Sequence, residues 1–334
     1  MVRIAVNGLG RIGRCIIRSL AEQPRDKIEI VAANGRRPIE TYIHLLKYDS
    51  IHGTFLDIEK KKDNVLRIGK HTITLIQEDN PEKLPWKKLG VDVVFECTGT
   101  FRNREEAAKH LQAGAKRVLI SAPAEDADIT VVYGVNQQNL KSEHTVISVG
   151  SCTTNCLAPI VRVLHDAVGI ERGFMTTIHS YTNYQKILDK YHKDLRRARA
   201  GALSMIPTTT GAAKSIGIVM PELAGRMDGM AIRVPTPNVS LIDLVVNTQK
   251  SVSVASVNDA FRKASSGSLE GYLSCSEEPL VSIDFNGTWE SAIIDTALTK
   301  SIEDKLVKVL AWYDNETGFS HRMLDLAVLV GKHL

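Results

Sequence analysis

Several features that define other classes of protein are scarce or missing in this chain of 334 residues. Its five cysteines form neither an even framework nor a C-x-x-C pair, which argues against a disulfide scaffold and predicts a reducing, cytoplasmic compartment. No apolar run reaches the roughly 18 residues that span a membrane, and we predict neither a membrane span nor a signal peptide. The net charge of +4 is mild, and no basic motif is interleaved with aromatic residues, which argues against nucleic acid as a partner.

The length of the chain exceeds the usual limit of one hydrophobic core and predicts two domains. In the first half, strand-like and helix-like segments alternate. These segments are Val2–Val6, Arg11–Glu22, Ile28–Ala33, Ile39–Leu46, Val91–Glu96, Arg104–Ala113, Arg117–Ser121, Thr130–Tyr133 and Thr145–Ser148. Such alternation is typical of a parallel sheet that helices cover on both faces.

After residue 150 the pattern changes to one long helix, Thr154–Ala167, followed by longer strand-like runs. The later runs and helices are Phe174–Ser180, Gly229–Val234, Val239–Thr248, Leu306–Tyr313, Val257–Lys263 and Phe319–Lys332. They predict a mostly antiparallel sheet with helices on one side. We therefore expect an α/β protein with two domains, a doubly wound sheet domain over 1–150 and an α+β domain over 151–317.

A glycine pattern separates the first predicted strand from the first predicted helix. It reads Gly8-x-Gly10-x-x-Gly13. In a strand–turn–helix context the first glycine permits the tight turn, the second admits a pyrophosphate to the backbone, and the third allows close helix–strand packing. The pattern predicts a Rossmann-type dinucleotide site; the alternative is a glycine-rich turn that binds nothing.

The end of the second predicted strand indicates which dinucleotide is bound. NAD enzymes usually carry an acid there, which binds the ribose 2′-hydroxyl, whereas a nearby arginine accommodates a 2′-phosphate. This chain has Gly35 followed by Arg36 and Arg37, with no acid at the expected place. The segment favours NADP, with NAD as the second possibility; the alternative is that both arginines are solvated loop charges.

Cys152 and His179 are the predicted catalytic residues. Cys152 precedes the helix predicted from Thr154, where the helix dipole and unpaired N–H groups lower the pKa of a thiol. His179 is the candidate base for the thiol and for the hydroxyl of a hemithioacetal. From spacing alone, both residues could equally be structural. Cys156, one turn further along the helix, is interpreted as core packing, and no metal site is predicted.

Two basic, hydroxyl-rich segments are candidates for phosphate binding, Lys193–Arg199 and Pro207–Lys214. Arginine forks, threonine hydroxyls and a glycine-flanked backbone suit phosphate oxygens. Thr182 and Arg233 could form a second anion site. The alternative for the arginine run is a solvated face or a subunit contact.

Over essentially its whole length the chain resembles the phosphorylating glyceraldehyde-3-phosphate dehydrogenases. The motifs that carry the resemblance are Asn7–Arg14, His44–Ser50, Ser151–Pro159, Asp194–Arg199, Thr210–Lys214, Arg233–Pro235 and Trp312–Glu316. The resemblance implies a Rossmann domain, a catalytic domain, a homotetramer and a last helix, 318–334, that packs on the first domain.

The resemblance also implies roles for individual residues. Cys152 resembles the nucleophile and His179 the base. The residues that resemble phosphate and substrate contacts are Thr182 and Arg233 for the substrate phosphate, Ser151, Thr153, Thr210 and Gly211 for inorganic phosphate, and Arg197 beside the substrate. Those that resemble cofactor contacts are Arg11 and Ile12 at the pyrophosphate and Ser121 and Asn315 near the nicotinamide.

The implied reaction is oxidation of D-glyceraldehyde 3-phosphate through a cysteine thioester that inorganic phosphate attacks. The family's NAD forms usually have aspartate where Gly35 stands, and Lys190 replaces a residue of a loop that resembles the one reaching a neighbouring subunit's cofactor. Both departures favour NADP. The alternatives are an erythrose-4-phosphate dehydrogenase, more distantly an aspartate-semialdehyde-type dehydrogenase, and a non-catalytic role in binding RNA or a protein.

Overall fold

The computed structural model describes residues 1–334, which form two compact units. The first unit comprises Met1–Tyr133, Gln137–Ser151 and Ser320–Leu334. The second comprises Gly134–Asn136 and Cys152–Phe319. No helix combines the length and the apolar character that crossing a membrane requires.

The first unit is built on a nine-stranded sheet. The strands before residue 152 are β1 (Val2–Asn7), β2 (Ile28–Asn34), β3 (Tyr48–Asp49), β4 (Gly53–Thr54), β5 (Ile58–Lys62), β6 (Val65–Ile68), β7 (His71–Ile76), β8 (Val93–Glu96), β9 (Arg117–Ile120), β10 (Ile129–Thr130) and β11 (Val146–Ser148). The helices are α1 (Arg11–Glu22), α2 (Ile39–Lys47), α3 (Trp86–Leu89), α4 (Arg104–Ala107) and α5 (Lys109–Gln112). The strand order is β10-β11-β9-β8-β1-β2-β7-β6-β5, and β3 pairs with β4 separately.

The centre of this sheet has the predicted parallel arrangement. From β10 to β7 all neighbours pair in parallel, and β1 lies between β2 and β8. The side chains of β1 are buried from Ile4 to Asn7, as expected for a central strand that is covered on both faces. The prediction of a Rossmann-type doubly wound sheet is confirmed.

The first unit differs from the sequence predictions in several places. The antiparallel edge formed by β5, β6 and β7 was not predicted. The helix expected over Arg104–Ala113 is divided into α4 and α5 around Ala108. The strand expected over Thr130–Tyr133 is limited to the end of β10, because only Ile129 and Thr130 pair with β11.

The second unit contains a seven-stranded sheet. Its strands are β12 (Ile170–Ser180), β13 (Ile206–Thr209), β14 (Met227–Val234), β15 (Ser240–Thr248), β16 (Leu273–Ser276), β17 (Ala292–Ile302) and β18 (Leu306–Tyr313). Its helices are α6 (Cys152–Val168), α7 (Ala212–Val219) and α8 (Val254–Ser265), and α9 (Thr317–Val330) begins in this unit. The strand order is β13-β14-β12-β15-β18-β17-β16, with only β12/β14 and β16/β17 parallel. The expected mostly antiparallel sheet is confirmed.

The second sheet buries one face against helices. Alternate residues of β15, from Ser240 to Thr248, are buried, which is the period-two pattern of a half-covered strand. Helix α6 lies against β12, β15 and β17 and also contacts α7 and α8. This packing brings the first turn of α6 to the end of β12, where Ser180 is the last strand residue.

Candidate active site

The two predicted catalytic residues come together in the second unit. Cys152 is the first residue of α6, two residues before the predicted start, and His179 is the penultimate residue of β12. The Cys152 Sγ and His179 Nε2 atoms are 3.6 Å apart, within hydrogen-bonding reach for sulfur. Because Cys152 opens the helix, its thiol lies beside the positive end of the helix dipole.

Burial and one arginine determine the protonation of this pair. Burial raises the pKa of the Cys152 thiol, while the positive charge of Arg233 and the N–H and hydroxyl of Thr153 oppose that rise. Burial and the Arg233 guanidinium lower the pKa of His179 to about 3. The imidazole is therefore neutral near pH 7 and has one ring nitrogen free to accept a proton.

The second ring nitrogen of His179 has two polar neighbours. Its Nδ1 atom is 2.8 Å from the Ser180 carbonyl oxygen and 2.6 Å from Arg233 Nη1. A carbonyl oxygen only accepts, so the first contact requires a protonated Nδ1; a guanidinium nitrogen only donates, so the second requires an unprotonated one. The same Nη1 donates to the Ser180 carbonyl at 2.9 Å. The two neighbours therefore favour opposite tautomers of the imidazole.

Two arginines lie close together beside the histidine. Arg233 is opposite His179 in the parallel β12/β14 register and opposite Ile206 in β13. Further along β13, Thr208 and Thr209 hold Arg197, whose Nε donates to Thr208 Oγ1 at 2.5 Å and whose Nη2 donates to the Thr209 carbonyl at 3.1 Å. Burial lowers the pKa of Arg233, and the charge of Arg197 adds a smaller contribution in the same direction. Strand pairing thus concentrates positive charge at one edge of the sheet.

The predicted phosphate residues fall into separate local structures. Gly211 is the N-cap of α7; a Cβ added there would meet no atom within 4 Å, so the backbone is open to a ligand. Thr210 accepts the Ala212 N–H at 3.3 Å. Thr182 donates both its backbone N–H and its hydroxyl to Gln185 Oε1. Ser151 immediately precedes α6.

Tyr313, at the end of β18, is a site residue to which the sequence analysis assigned no role. Its hydroxyl is 2.9 Å from Thr153 Oγ1 in α6 and 2.9 Å from Thr177 Oγ1 in β12. Its ring packs edge-on against His179, with 6.0 Å between ring centroids. Burial raises the pKa of the phenol, which therefore stays protonated. The motif Trp312–Glu316 contained this residue, but spacing gave no indication of these contacts.

Asn315 is buried in the second unit. Its Oδ1 accepts the Ser240 hydroxyl at 2.8 Å, and Ser240 Oγ in turn accepts the Ser180 N–H at 3.1 Å. This chain of hydrogen bonds holds the strand residue that follows His179. Lys190, the other cofactor residue predicted in this unit, is exposed, and its backbone N–H donates to Ala198.

The first unit contains a cavity of about 370 Å³ at the glycine pattern. Among its walls are Gly8, Gly10, Gly35, Arg36 and Arg37. These residues are contributed by the turns after β1 and after β2, as expected where parallel strands end. The structure therefore brings together five of the predicted cofactor residues.

The shape of this cavity suits a dinucleotide pyrophosphate. Gly8 has a φ of +101°, and a Cβ there would stand 2.6 Å from the Thr98 backbone nitrogen. A Cβ on Gly13 would collide with the Gly8 carbonyl oxygen, whereas one on Gly10 would meet no atom within 4 Å. Gly8 and Gly13 therefore allow close packing, and Gly10 leaves open the N-terminus of α1, which no side chain caps.

Other predicted cofactor residues have partners within the chain. Arg11 forms a forked ion pair with Asp49, at 2.5 and 3.1 Å, and Ile12 belongs with it to the first turn of α1. Neither side chain lines the cavity. Ser121 donates its hydroxyl to the Glu96 carbonyl oxygen at 2.9 Å. Arg36 pairs with Asp79 at 2.8 Å, and both side chains are mostly exposed.

Comparison with known proteins covers both units. Residues 2–104 match the family model "Glyceraldehyde 3-phosphate dehydrogenase, NAD binding domain", and residues 151–315 match "Glyceraldehyde 3-phosphate dehydrogenase, C-terminal domain". The glyceraldehyde-3-phosphate dehydrogenase of Xanthobacter flavus is 55% identical over 331 residues, which are 99% of each chain. That of Geobacillus stearothermophilus is 55% identical over 98% of each chain, and that of Cereibacter sphaeroides is 53% identical over 333 residues.

The family models together cover most of the chain, and the curated relatives cover nearly all of it. The fold agrees with them, since a Rossmann-type unit with a dinucleotide cavity accompanies an α+β unit with a cysteine–histidine pair. A nicotinamide dinucleotide is accordingly the cofactor. This chain belongs to the glyceraldehyde-3-phosphate dehydrogenase family of oxidoreductases.

Proposed function

We propose that this enzyme oxidises D-glyceraldehyde 3-phosphate to 1,3-bisphosphoglycerate, reversibly, through a thioester on Cys152. The observation that carries the proposal is the 3.6 Å contact between Cys152 Sγ and His179 Nε2 at the start of α6. A neutral imidazole at that distance is placed to take the thiol proton, and the helix dipole with Arg233 opposes the rise that burial causes in the pKa of the thiol.

The reaction then proceeds in two stages. The thiolate of Cys152 adds to the aldehyde carbon and gives an oxyanion, to which His179 returns the proton it took from the thiol. His179 then takes that hydroxyl proton again as the hemithioacetal is oxidised. A bound nicotinamide supplies the acceptor for the hydride that leaves the same carbon. Inorganic phosphate then attacks the thioester carbon, and the acyl phosphate leaves while Cys152 is regenerated as a thiolate. The covalent intermediate retains the free energy of the oxidation for the phosphorylation.

Arg233 is proposed to bind the phosphate of the aldehyde, together with Thr182, while Arg197 contacts the substrate nearby. The Nε–H of Arg233 is buried and makes no hydrogen bond. The free-energy cost of this unpaired donor would be removed by an anion that accepts its hydrogen bond. A phosphate that draws the guanidinium away from His179 would leave Nδ1–H on the Ser180 carbonyl. That tautomer exposes an unprotonated Nε2 to the thiol, so substrate binding would prepare the base.

Inorganic phosphate is proposed to bind at Thr210 and Gly211 with Ser151 and Thr153. Gly211 supports this assignment because its open backbone caps α7, a helix of eight residues whose N-terminus carries partial positive charge. Thr153 directly follows the nucleophile, and its hydroxyl is oriented by Tyr313. The incoming phosphate would thus be held beside the residue that carries the thioester.

NADP is proposed as the preferred cofactor, with NAD as the weaker one. Gly35 removes the acid that would repel a 2′-phosphate, and Arg36 and Arg37 line the same cavity. The exposed Asp79 partner of Arg36 is weakly bound, so a phosphate dianion would replace it. Lys190 adds a positive charge in the loop that would reach a neighbouring subunit's cofactor.

We also propose a homotetramer, a cytoplasmic location and separate roles for the two domains. A homotetramer is supported by a strongly exposed apolar segment whose members are Tyr184, Ile187, Leu188, Tyr191, Leu195, Leu203 and Met205. A cytoplasmic location is supported by five free cysteines. Residues 1–150 and the helix over 318–334 would serve the cofactor, and residues 151–317 the substrate.

The proposal is tested by measuring initial rates with D-glyceraldehyde 3-phosphate, with and without inorganic phosphate. The rates with NADP and with NAD are compared under identical conditions. We expect phosphate-dependent turnover that is faster with NADP. Cys152→Ala should abolish turnover, and Cys156→Ala, in the next turn of the same helix, should retain it. Turnover that favours NAD would refute the cofactor preference, and negligible turnover with both would favour erythrose 4-phosphate as the substrate.

A further inference from the structure

Position 35 is confined by an aromatic ring. Tyr42, on α2, is 7% exposed, and a Cβ added at Gly35 would stand 2.5 Å from its Cζ and closer still to its hydroxyl oxygen. The backbone of Gly35 does not lie in the left-handed region, so its conformation does not demand glycine. The ring of Tyr42 is therefore what excludes a side chain at this position.

The ring is also held in place. The Tyr42 hydroxyl accepts the backbone N–H of Arg37 at 3.1 Å, which ties α2 to the turn after β2. Moving the ring aside would break that bond and expose a buried phenol. A larger residue at position 35 must therefore displace Tyr42 and release the turn that carries Arg36 and Arg37.

Tyr42 and Gly35 both line the cavity at the glycine pattern, with Thr41, Arg36 and Arg37 around them. This is the end of the second strand of a Rossmann sheet, where an acid selects a ribose 2′-hydroxyl and its absence admits a 2′-phosphate. The choice between the two ligands is thus linked to the residue at position 42, outside the glycine pattern and outside the second strand.

We propose that Tyr42 is a specificity-determining residue for the dinucleotide, because it excludes an acid from position 35 and holds the turn in the form that accepts a 2′-phosphate. The proposal rests on the NADP preference proposed above and deepens it. It implies that a change at position 35 alone cannot convert the cofactor site. An aspartate there becomes compatible with the fold only after the ring at position 42 is removed.

The test uses the full-length apoenzyme and two nucleotide probes, adenosine 2′,5′-bisphosphate and 5′-AMP. Dissociation constants are measured by calorimetry and Tm by differential scanning fluorimetry, so no readout depends on turnover. The variants are Gly35→Asp alone and in combination with either Tyr42→Leu or Tyr42→Phe, together with both single changes at position 42. Phenylalanine keeps Cζ and Cε2, which lie 2.5 and 2.8 Å from the added Cβ, and is the matched control for the ring.

We expect Gly35→Asp alone to lower Tm by several degrees and to weaken both probes about tenfold or more, because the cavity wall is displaced. With Tyr42→Leu, the aspartate should cost no further Tm, and binding should shift from the bisphosphate towards 5′-AMP. With Tyr42→Phe, no rescue should occur. Such a difference between leucine and phenylalanine would identify the ring itself as the determinant.

Two results would overturn the proposal in distinguishable ways. If Gly35→Asp alone leaves Tm unchanged and reverses the preference between the probes, Tyr42 does not control position 35. If the wild-type enzyme binds both probes equally, the NADP preference is wrong and Tyr42 has no specificity to determine. In that second case the Tm pattern of the variants would still report the contact between Tyr42 and position 35.

Discussion

Replacing Tyr313 by phenylalanine would remove one hydroxyl that joins the helix of Cys152 to the strand of His179. The hydroxyl bridges Thr153, which follows Cys152, and Thr177, two residues before His179, at 2.9 Å on each side. All three side chains are almost fully buried. Phenylalanine retains the ring that packs edge-on against His179, so the change isolates the two hydrogen bonds.

The expected cost follows from those two bonds. Each contributes about 0.5–1.5 kcal/mol net, so the free energy of unfolding should fall by about 1–3 kcal/mol. If about 1 kcal/mol of this holds Sγ and Nε2 in contact, alkylation of Cys152 should slow about fivefold. The KM for the aldehyde should change little, because the hydroxyl bonds to neither Arg233 nor Arg197.

Urea unfolding and the rate of iodoacetamide alkylation measure the two effects, and Thr177→Val supplies the matched partner variant. Since both changes delete the same hydrogen bond, their destabilisations should not add in the double variant. Tyr191→Phe, whose ring is 89% exposed in the same unit, should leave unfolding unchanged. A loss below about 0.5 kcal/mol for Tyr313→Phe, or strict additivity with Thr177→Val, would refute the bridging role.

Three further predictions concern charge. Because the pKa of His179 is lowered to about 3 in the folded enzyme but is about 6.5 in the unfolded chain, the free energy of unfolding should fall by about 2–3 kcal/mol between pH 6.5 and 4.5. Urea unfolding over this pH range should show a smaller fall for His179→Gln, and an equal fall in both proteins would contradict the prediction. The Asp128 carboxyl accepts the N–H of Val146 and pairs with Arg104, and these interactions outweigh burial and lower its pKa to about 2. Asp128→Ala should lower the free energy of unfolding at pH 7 by about 1–2 kcal/mol, as measured by urea unfolding. The difference in stability between variant and wild type should disappear as the pH falls through 4 towards 2. Arg233→Leu should raise the KM for the aldehyde about tenfold or more, with Arg233→Lys intermediate; a KM that stays unchanged would remove Arg233 from the phosphate site.

The elements that could be predicted from the sequence are those with strong local patterns. Strand β1 contains the buried apolar run Ile4–Val6, and α1 follows the glycine pattern with a regular apolar spacing, so both occur where they were expected. The edge strand β5 was missed because four of its five side chains are exposed and its lysine run has no apolar alternation. Strand β17 was missed as well, and its buried run pairs with β18.

In the candidate site, too, some residues could be predicted from local sequence, whereas the contacts between them could not. Cys152, His179 and the glycine pattern could be named as candidates because residue type and sequence neighbours indicate them. The contacts of Tyr313 join residues 160 and 136 positions apart, and those of Arg233 with His179 depend on the register of β12 against β14. No local pattern encodes such pairings, because they arise only when strands from distant parts of the chain align.

The sequence alone therefore predicted the two kinds of sheet, the glycine turn of the dinucleotide site, and Cys152 and His179 as candidate catalytic residues, since each depends on periodicity or on a few adjacent residues. The tertiary structure decided what surrounds them: the opposing tautomers favoured by Ser180 and Arg233, the hydroxyl bridge of Tyr313, and the ring of Tyr42 against Gly35. The physical reason is that hydrogen bonding and exclusion of volume act over a few ångströms in space, whatever the separation along the chain.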